Sequence, residues 1–248
     1  MTNLIYEHPL NERLRTYLRV EQLIMQLQQL SELTSEWQQQ AFFNSLFALV
    51  EVLDRNDIRP DLIKDCERIE SSLVAWANHP SVSDEKLKPV LQQAVRLQSE
   101  LLRHGKFAAQ LKDDKFLSPL RQRFAIPGGT CFFDVPQLHF WFNLPLPERQ
   151  QAVKNWFADF QLVQQALTFV LKFCREKGQF TSLTAENGFY QSNTEQFELL
   201  RIRYDADNGV YPAVSGNKYR FAIRFMQLCD EMGRNSCEKD VSFALACC

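Results

Sequence analysis

The run Lys218-Tyr219-Arg220-Phe221-Ala222-Ile223-Arg224-Phe225 is the most informative feature of the chain, because aromatic or branched apolar residues alternate in it with cations. A period of two is typical of a β-strand with one face against the core and the other in solvent. The shorter run 200–204, Leu-Arg-Ile-Arg-Tyr, alternates in the same sense. Turn-forming residues at 205–209 and 215–217 lie between the two runs. The sequence therefore predicts an antiparallel hairpin of these two strands.

Such a hairpin would carry its cations on one face. These cations are Arg201, Arg203, Lys218, Arg220 and Arg224. Like charges that lie opposite one another destabilise a strand pair, and an anionic partner would relieve this repulsion. We therefore hypothesise that the hairpin is a binding surface. The alternative is a charged strand face that only keeps the sheet soluble, and the sequence leaves both open.

The composition limits the class of protein. The chain has 248 residues and a formal net charge of -2, whereas a dedicated nucleic-acid binder is usually basic. It contains no apolar run of about 18 to 20 residues that could span a bilayer, and its N-terminus lacks a signal-peptide pattern. Its seven cysteines, an odd number, favour reduced thiols. We expect a soluble, cytoplasmic protein without membrane insertion.

Apolar residues recur near a period of 3.6 along most of the first two thirds of the chain, which predicts helices. A first helix is predicted to begin after Pro9, a second to span about 36–53, a third to begin at Pro60 and a fourth to run from about Ser83 to Gly105. One or two short helices are predicted in 106–124, and one long helix is predicted between Pro147 and Gly178. Strands are predicted at 4–6, in 131–144, in the two alternating runs and at the C-terminus. There, the alternation of Val241, Phe243 and Leu245 favours a final strand over a lipidated tail ending in Cys247-Cys248.

These elements predict an α+β fold, in which an antiparallel helical bundle module is joined to a segregated, mainly antiparallel β-sheet module. We assign residues 8–125 and 147–178 to the helical module, and residues 1–7, 126–146 and 179–248 to the β module.

Catalytic and metal chemistry find little support. The four histidines are widely separated, and the cysteines lack the spacing of a zinc site. Gly128-Gly129 does not precede a Lys-Ser or Lys-Thr pair, so a phosphate-binding loop is a poor match. Asp134 and His139 could be a base and its orienting residue, but the aromatic residues around His139 favour a structural or rim histidine. We predict no enzyme, no catalytic or metal-binding residue and no cofactor.

Longer strings of sequence resemble the ZapD family of bacterial cell-division proteins, which associate with the Z-ring built from the tubulin-like protein FtsZ. The resemblance spans the chain. It is carried by the segments 6–12, with Arg15 and Leu18-Arg19, then 121–129, 187–191, 211–216, 218–226 and 245–248. Strings such as Asn187-Gly188-Phe189-Tyr190-Gln191, at matching separations, are more specific than any short motif.

The resemblance implies a non-enzymatic cytoplasmic protein of the division septum that dimerises through its helical module. It also implies that the protein binds the C-terminal tail of FtsZ and bundles FtsZ filaments at mid-cell. If the strand at 4–6 joined the sheet of the hairpin, Arg15 and Arg19 of the first helix would approach Arg220 and Arg224 and complete a basic groove. Arg55, Lys115 and His139 match basic positions of the family. Two alternatives stay open, namely nucleic-acid binding by the basic face and an enzyme with a spatially assembled site.

Overall fold

The computed structural model of the chain describes residues 3–33, 35–77, 83–194, 197–217, 219–229 and 233–248. The chain forms two compact units, one of Met1–Arg15 with Leu171–Cys248 and one of Thr16–Val170. The strands lie in the first unit and most of the helices in the second, which confirms the α+β class. None of the helices within the described ranges is long and apolar enough to cross a membrane.

The helices follow one another as α1 (Glu12–Leu30), α2 (Glu36–Arg55), α3 (Arg59–Ala77), α4 (Asp84–Arg103), α5 (Ala109–Lys112), α6 (Leu117–Phe124), α7 (Pro136–Phe142), α8 (Leu146–Ala158) and α9 (Gln161–Lys177). The first four occupy the predicted positions. Ser35 caps α2 by accepting from the Gln38 amide, and the apolar face of this helix is buried. Phe43 lies at the centre of the helical core, where its ring packs edge-on against the rings of Trp141 and Trp156. The ring centroids are 5.3 and 5.7 Å apart, respectively.

Two sequence predictions in this unit are wrong. The segment 131–144 contains α7 instead of strands, because Pro136 suits the first turn of a helix and Leu138 and Trp141 bury one side of it. This segment also lies within Thr16–Val170, and not with the strands. The single long helix predicted before Gly178 is divided into α8 and α9 at Asp159 and the fully buried Phe160.

The strands are β1 (Asn3–Pro9), β2 (Thr181–Ala185), β3 (Phe189–Asn193), β4 (Leu199–Asp205), β5 (Val210–Gly216), β6 (Arg220–Gln227), β7 (Asn235–Ser236) and β8 (Val241–Cys247). They form two antiparallel sheets. Sheet 1 has the order β1-β4-β8-β2, and sheet 2 has the order β3-β6-β5, with β7 also paired to β6. The predicted C-terminal strand is confirmed as β8, in the interior of sheet 1.

The predicted hairpin of 200–204 with 218–225 is wrong, since β4 belongs to sheet 1 and β6 to sheet 2. Their apolar faces meet instead across a sandwich core that contains Ile202 of β4 and Ile223 of β6. Tyr204 and Phe225 pack edge to face at 6.3 Å. Alternation had assigned the inner and outer faces of both strands correctly, but not their partners. As a result, the cations of β4 and β6 point away from each other, on opposite outer faces of the sandwich.

A two-residue turn carries the chain from β2 in sheet 1 to β3 in sheet 2. Asn187 and Gly188 have φ angles of 49° and 69°, and the Phe189 amide donates to the Glu186 carbonyl at 2.9 Å. Asn-Gly is the preferred pair where both central residues of a tight turn need positive φ. A Cβ at position 188 would lie 2.3 Å from the Cys237 carbonyl oxygen, so the turn requires glycine there. It fixes the start of β3 and thereby the place of Phe189.

Candidate functional site

The outer face of sheet 2 presents the cations of β6. Arg220 and Arg224 are exposed, whereas Phe221, Ile223 and Phe225 between and beside them are buried. Ala222 separates the two arginines on this face. Because its side chain is a single methyl group, it leaves both guanidinium groups open to solvent. Within the described ranges, neither arginine takes part in an ion pair.

The neighbouring strands give this surface a polar and an aromatic end. Arg220 lies opposite Asn193 of β3, and an open cleft of about 720 Å³ here is lined also by Gln191 and Ser215. At the other end, Arg224 lies opposite Phe189, and its guanidinium carbon lies 5.0 Å from the centroid of that ring. Such a contact orients the cation without neutralising it. We refer to Gln191, Asn193, Ser215, Arg220, Arg224 and Phe189 as the sheet 2 surface.

The outer face of sheet 1 differs, because its first arginine is engaged by the protein itself. Arg201 donates from Nε to Glu7 Oε1 at 2.9 Å, and Arg175 donates from Nη2 to Glu7 Oε2 at 2.8 Å. The side chains of Arg201 and Glu7 are each only 19% exposed. Arg201 also donates to the Arg175 carbonyl at 3.4 Å. This partly buried cluster ties β1 and β4 to the end of α9.

Arg203 lies further along the same face and is exposed. Its guanidinium carbon lies 4.4 Å from the centroid of the Phe180 ring, and that of Arg201 lies 5.5 Å from it. The neighbouring surface includes Ser182 and Thr184 of β2 and forms an open cleft of about 630 Å³. Arg203 therefore has an aromatic support like that of Arg224, but on the opposite face of the sandwich.

The sequence predicts two binding residues on the first helix, Arg15 and Arg19. Of these, Arg15 belongs to the compact unit of Met1–Arg15 and Leu171–Cys248, which contains both sheets and is called the sandwich unit below. Its Nε donates to Glu12 Oε1 at 3.2 Å, over one turn of α1. The pKa of His8 is lowered from its usual value, first because the ring is partly buried and second because Arg15 is a nearby cation. The premise that β1 shares a sheet with Arg220 and Arg224 is wrong, since β1 pairs with β4 in sheet 1.

The remaining predicted residues belong to the helical unit, except Lys218, which lies outside the described residues. Arg19 is exposed on α1, and Lys115 is exposed between α5 and α6. Arg55, at the end of α2, has a side chain that is 74% exposed and pairs with Glu51 one turn earlier. His139 is exposed on α7, with its ring centroid 4.4 Å from that of Phe132.

Close to these residues, the structure shows features that the sequence interpretation missed. Asp54, next to Arg55, accepts from Lys106 and Lys112, and these bonds lower the pKa of its carboxyl to about 2. Phe133 and Phe140 are exposed close to His139 in sequence.

In the sandwich, the sequence interpretation also missed the rings that support the arginines, Phe180 beside Arg203 and Phe189 beside Arg224. Phe189 follows an Asn-Gly pair that marks a turn. No group of three or more His, Cys, Asp or Glu in the described ranges could hold a metal ion.

The fold is that of an α+β protein with a helical unit and a two-sheet sandwich, one outer face of which exposes two arginines without an acidic partner in the described chain. Comparison with known proteins assigns it to a family. The ZapD family model, described as a cell division protein, matches residues 18–224. The chain belongs to the ZapD family, and its role is in cell division.

Full-length relatives agree with this assignment. The cell division protein ZapD of Aliivibrio salmonicida (strain LFI1238) is 43% identical over 98% of this chain and 97% of its own. Its counterpart in Vibrio vulnificus (strain CMCP6) is 41% identical over 100% of both chains. That of Vibrio cholerae serotype O1 (strain M66-2) is 39% identical over 100% of both.

Proposed function

We propose that this protein is a non-enzymatic cytoplasmic adaptor of the division septum. It binds the C-terminal tail of FtsZ and, as a homodimer, cross-links and bundles FtsZ filaments to stabilise the Z-ring at mid-cell. The observation that carries the proposal is the pair Arg220 and Arg224, which is exposed on one sheet face and has no ion pair in the described chain. Membership of the ZapD family supports a division role, and the resemblance supplies FtsZ as the partner.

The chemistry of the surface suits an acidic and apolar peptide, which is the character that the resemblance implies for the tail. An exposed ion pair contributes about 0.2 to 1 kcal/mol. Two such pairs therefore fall well short of the roughly 8 kcal/mol of a micromolar complex. Apolar contacts must supply the remainder, and the Phe189 ring beside Arg224 is a suitable anchor. Arg19, Arg55, Lys115 and His139 remain proposed contacts on the strength of the resemblance.

Bundling then requires only that each dimer bind two tails at once, and no covalent bond has to form or break. A dimer offers two tail-binding surfaces, and a filament displays many tails, so weak single contacts become strong multivalent binding. We assign the dimer contact to the helical module. Val95 and Leu102 are exposed apolar residues of α4. They are seven residues apart on this helix and therefore share a face, which makes this face a candidate for the contact.

The first test measures binding of a fluorescent FtsZ tail peptide to the wild-type protein and to the Arg220→Glu and Arg224→Glu variants. We expect each reversal to weaken binding by about tenfold or more, because a favourable ion pair becomes a repulsion. Arg203→Glu is the matched control, since it makes the same charge change on the opposite face of the sandwich. Light scattering verifies that each variant is still a dimer.

The outcomes separate the parts of the proposal. An unchanged affinity in both sheet 2 variants, or an equal loss in Arg203→Glu, would refute the sheet 2 surface as the tail site. No binding by the intact protein would refute FtsZ as the partner.

A second test concerns the dimer contact. Leu102→Glu should give monomers that bind the tail but no longer bundle filaments. Trp37→Glu, at another exposed apolar residue, should leave the dimer intact.

Nucleic-acid binding is the second candidate that the sequence left open. It relied on one continuous basic face, whereas the structure divides the cations of β4 and β6 between opposite faces. That division argues against a single strand of nucleic acid that contacts all of them. A gel shift with single-stranded DNA at moderate salt tests this alternative, and retention of the DNA would favour it.

A further inference from the structure

The first strand, β1, has an outer edge that is not paired within the described part of the chain. It pairs with β4 along its whole length. In the described ranges, no backbone hydrogen bond joins Asn3–Pro9 to any other strand. Three consecutive apolar residues of the strand are also exposed, namely Leu4 (44%), Ile5 (49%) and Tyr6 (38%). An edge with unpaired amide groups and apolar side chains is a template for a further strand.

The features by which proteins usually protect such an edge are missing from β1. Edge strands commonly carry Lys, an interior Pro or a bulge. The edge strand β5 of sheet 2, for example, has Pro212 in its interior, and proline has no amide hydrogen to offer. β1 has its proline only at the last position, and it contains neither Lys nor Arg. Its acidic residue, Glu7, is already engaged by Arg175 and Arg201.

We propose that β1 pairs, antiparallel and across a two-fold axis, with β1 of a second copy of this chain. In an antiparallel pair, residues opposite each other both direct their amide groups towards the partner strand or both away from it. Opposed residues of a self-paired strand must therefore have numbers that are both odd or both even. This rule leaves only registers that are centred on a residue.

Among these registers, the one centred on Ile5 fits best. It sets Ile5 opposite Ile5 of the second copy, Leu4 opposite Tyr6, and Asn3 opposite Glu7. Apolar side chains then meet apolar side chains, and the Asn3 amide can donate to the Glu7 carboxylate. A register centred on Glu7 would oppose two carboxylates, which is unfavourable. One centred on Tyr6 would place Ile5 against Glu7.

The same complementarity favours a second copy over a strand of another protein. An acidic segment would find no cation on β1, whereas the strand's own apolar centre and polar flanks match themselves. The contact involves few residues and is therefore weak in isolation. Between chains that are already dimeric it would extend the assembly by avidity, since each dimer has two such edges. The inference does not depend on FtsZ binding and is tested without FtsZ.

The test is site-directed cross-linking of the full-length protein with a short bis-maleimide. The background variant is Cys131→Ser, which removes an exposed native thiol. On this background, Ile5→Cys should give a covalent dimer in about tenfold higher yield than Ser182→Cys, because only β1 edges would be held together. Ser182 is a matched control, since it is exposed on the same face of sheet 1, at the opposite edge. The Cys131→Ser parent gives the yield from the other native thiols.

A mixture of Leu4→Cys and Tyr6→Cys proteins tests the register. The mixed product should exceed both self-linked products if Ile5 is the centre. Equal yields from Ile5→Cys and Ser182→Cys, with both proteins folded by circular dichroism, would overturn the inference. Sedimentation at high protein concentration gives a second test. The inference would also be overturned if Ile5→Lys had the same sedimentation mass as the wild type. Met25→Lys, at an exposed apolar residue of α1, controls for the added charge and should leave the mass unchanged.

Discussion

The outer faces of the two sheets carry arginines in the same alternating pattern but use them differently. On sheet 1, Arg201 is held by Glu7 at 2.9 Å and is mostly buried. On sheet 2, Arg220 and Arg224 are exposed and lack an ion pair in the described ranges. Alternation places a cation on an outer face, but a neighbouring acid decides whether the cation stabilises the fold or is open to a ligand. That acid can come from a distant part of the sequence, as Glu7 does.

The largest expected effect of this difference is on stability. Arg201→Ala should lower the free energy of unfolding by about 2 kcal/mol, because it leaves the partly buried Glu7 carboxylate with fewer donors. Arg220→Ala should change the free energy of unfolding by less than about 0.5 kcal/mol, as for most surface substitutions. Urea unfolding of both variants beside the wild type measures the contrast.

The double variant Glu7→Gln/Arg201→Ala is the control for this comparison. If the pair is coupled, the double variant should lose less stability than the sum of the two single variants. Additive losses would show that Arg201 stabilises the fold by packing alone. Equal losses in Arg201→Ala and Arg220→Ala would remove the proposed distinction between the two sheets.

The next effect concerns binding, and it imitates on sheet 2 what Glu7 does on sheet 1. Ala222→Glu places a carboxylate between Arg220 and Arg224, where it can pair with either. We expect tail-peptide binding to weaken by about tenfold even though both arginines remain. Ala222→Gln, which has the same shape without the charge, should weaken binding by no more than about twofold. Fluorescence anisotropy measures both.

Similar losses with Glu and Gln would mean that bulk at position 222 blocks the peptide and that the charge of the surface is unimportant. No loss with either would place the tail elsewhere on the protein. In both outcomes the tail site would no longer rest on the availability of the two arginines.

Much of the architecture was accessible from the sequence because it depends on local patterns. The periods of α2 and β6 identified which side of each element is buried, and those sides are buried in the structure. Pairing was not accessible in the same way. Whether β4 lies beside β6 or across the core from it is decided by other strands, and the alternation of β4 is compatible with both.

The candidate site shows the same limit. The exposed positions of Arg220 and Arg224 follow from alternation, and both were predicted. The engagement of Arg201 was not, because Glu7 lies almost two hundred residues away in sequence and is brought into register with Arg201 only by the pairing of β1 with β4. The Phe189 ring beneath Arg224 depends on the Asn187-Gly188 turn and on the register of β3, and neither can be obtained from the period of one strand.

The smallest expected effect is a pH dependence of the free energy of unfolding. It arises at His8 of β1, the strand that pairs with β4 and its Arg201. His8 is the only histidine of the sequence within the sandwich unit. Partial burial and, to a lesser extent, the nearby Arg15 lower its pKa below 6.5. The unfolded chain therefore binds a proton at His8 at a higher pH than the folded protein does. It follows that this residue makes the free energy of unfolding fall as the pH drops below about 6.5.

NMR titration of the His8 ring measures the folded pKa directly, and Arg15→Ala should raise it only part of the way to 6.5, since burial is the larger cause. In urea unfolding at a series of pH values, His8→Gln should flatten the decline of stability with acid. A folded pKa at or above 6.5 would contradict the partial burial of the His8 ring, which lies in β1. It would also indicate that the strand opens at its edge, which would weaken sheet 1 beside the cluster that holds Arg201.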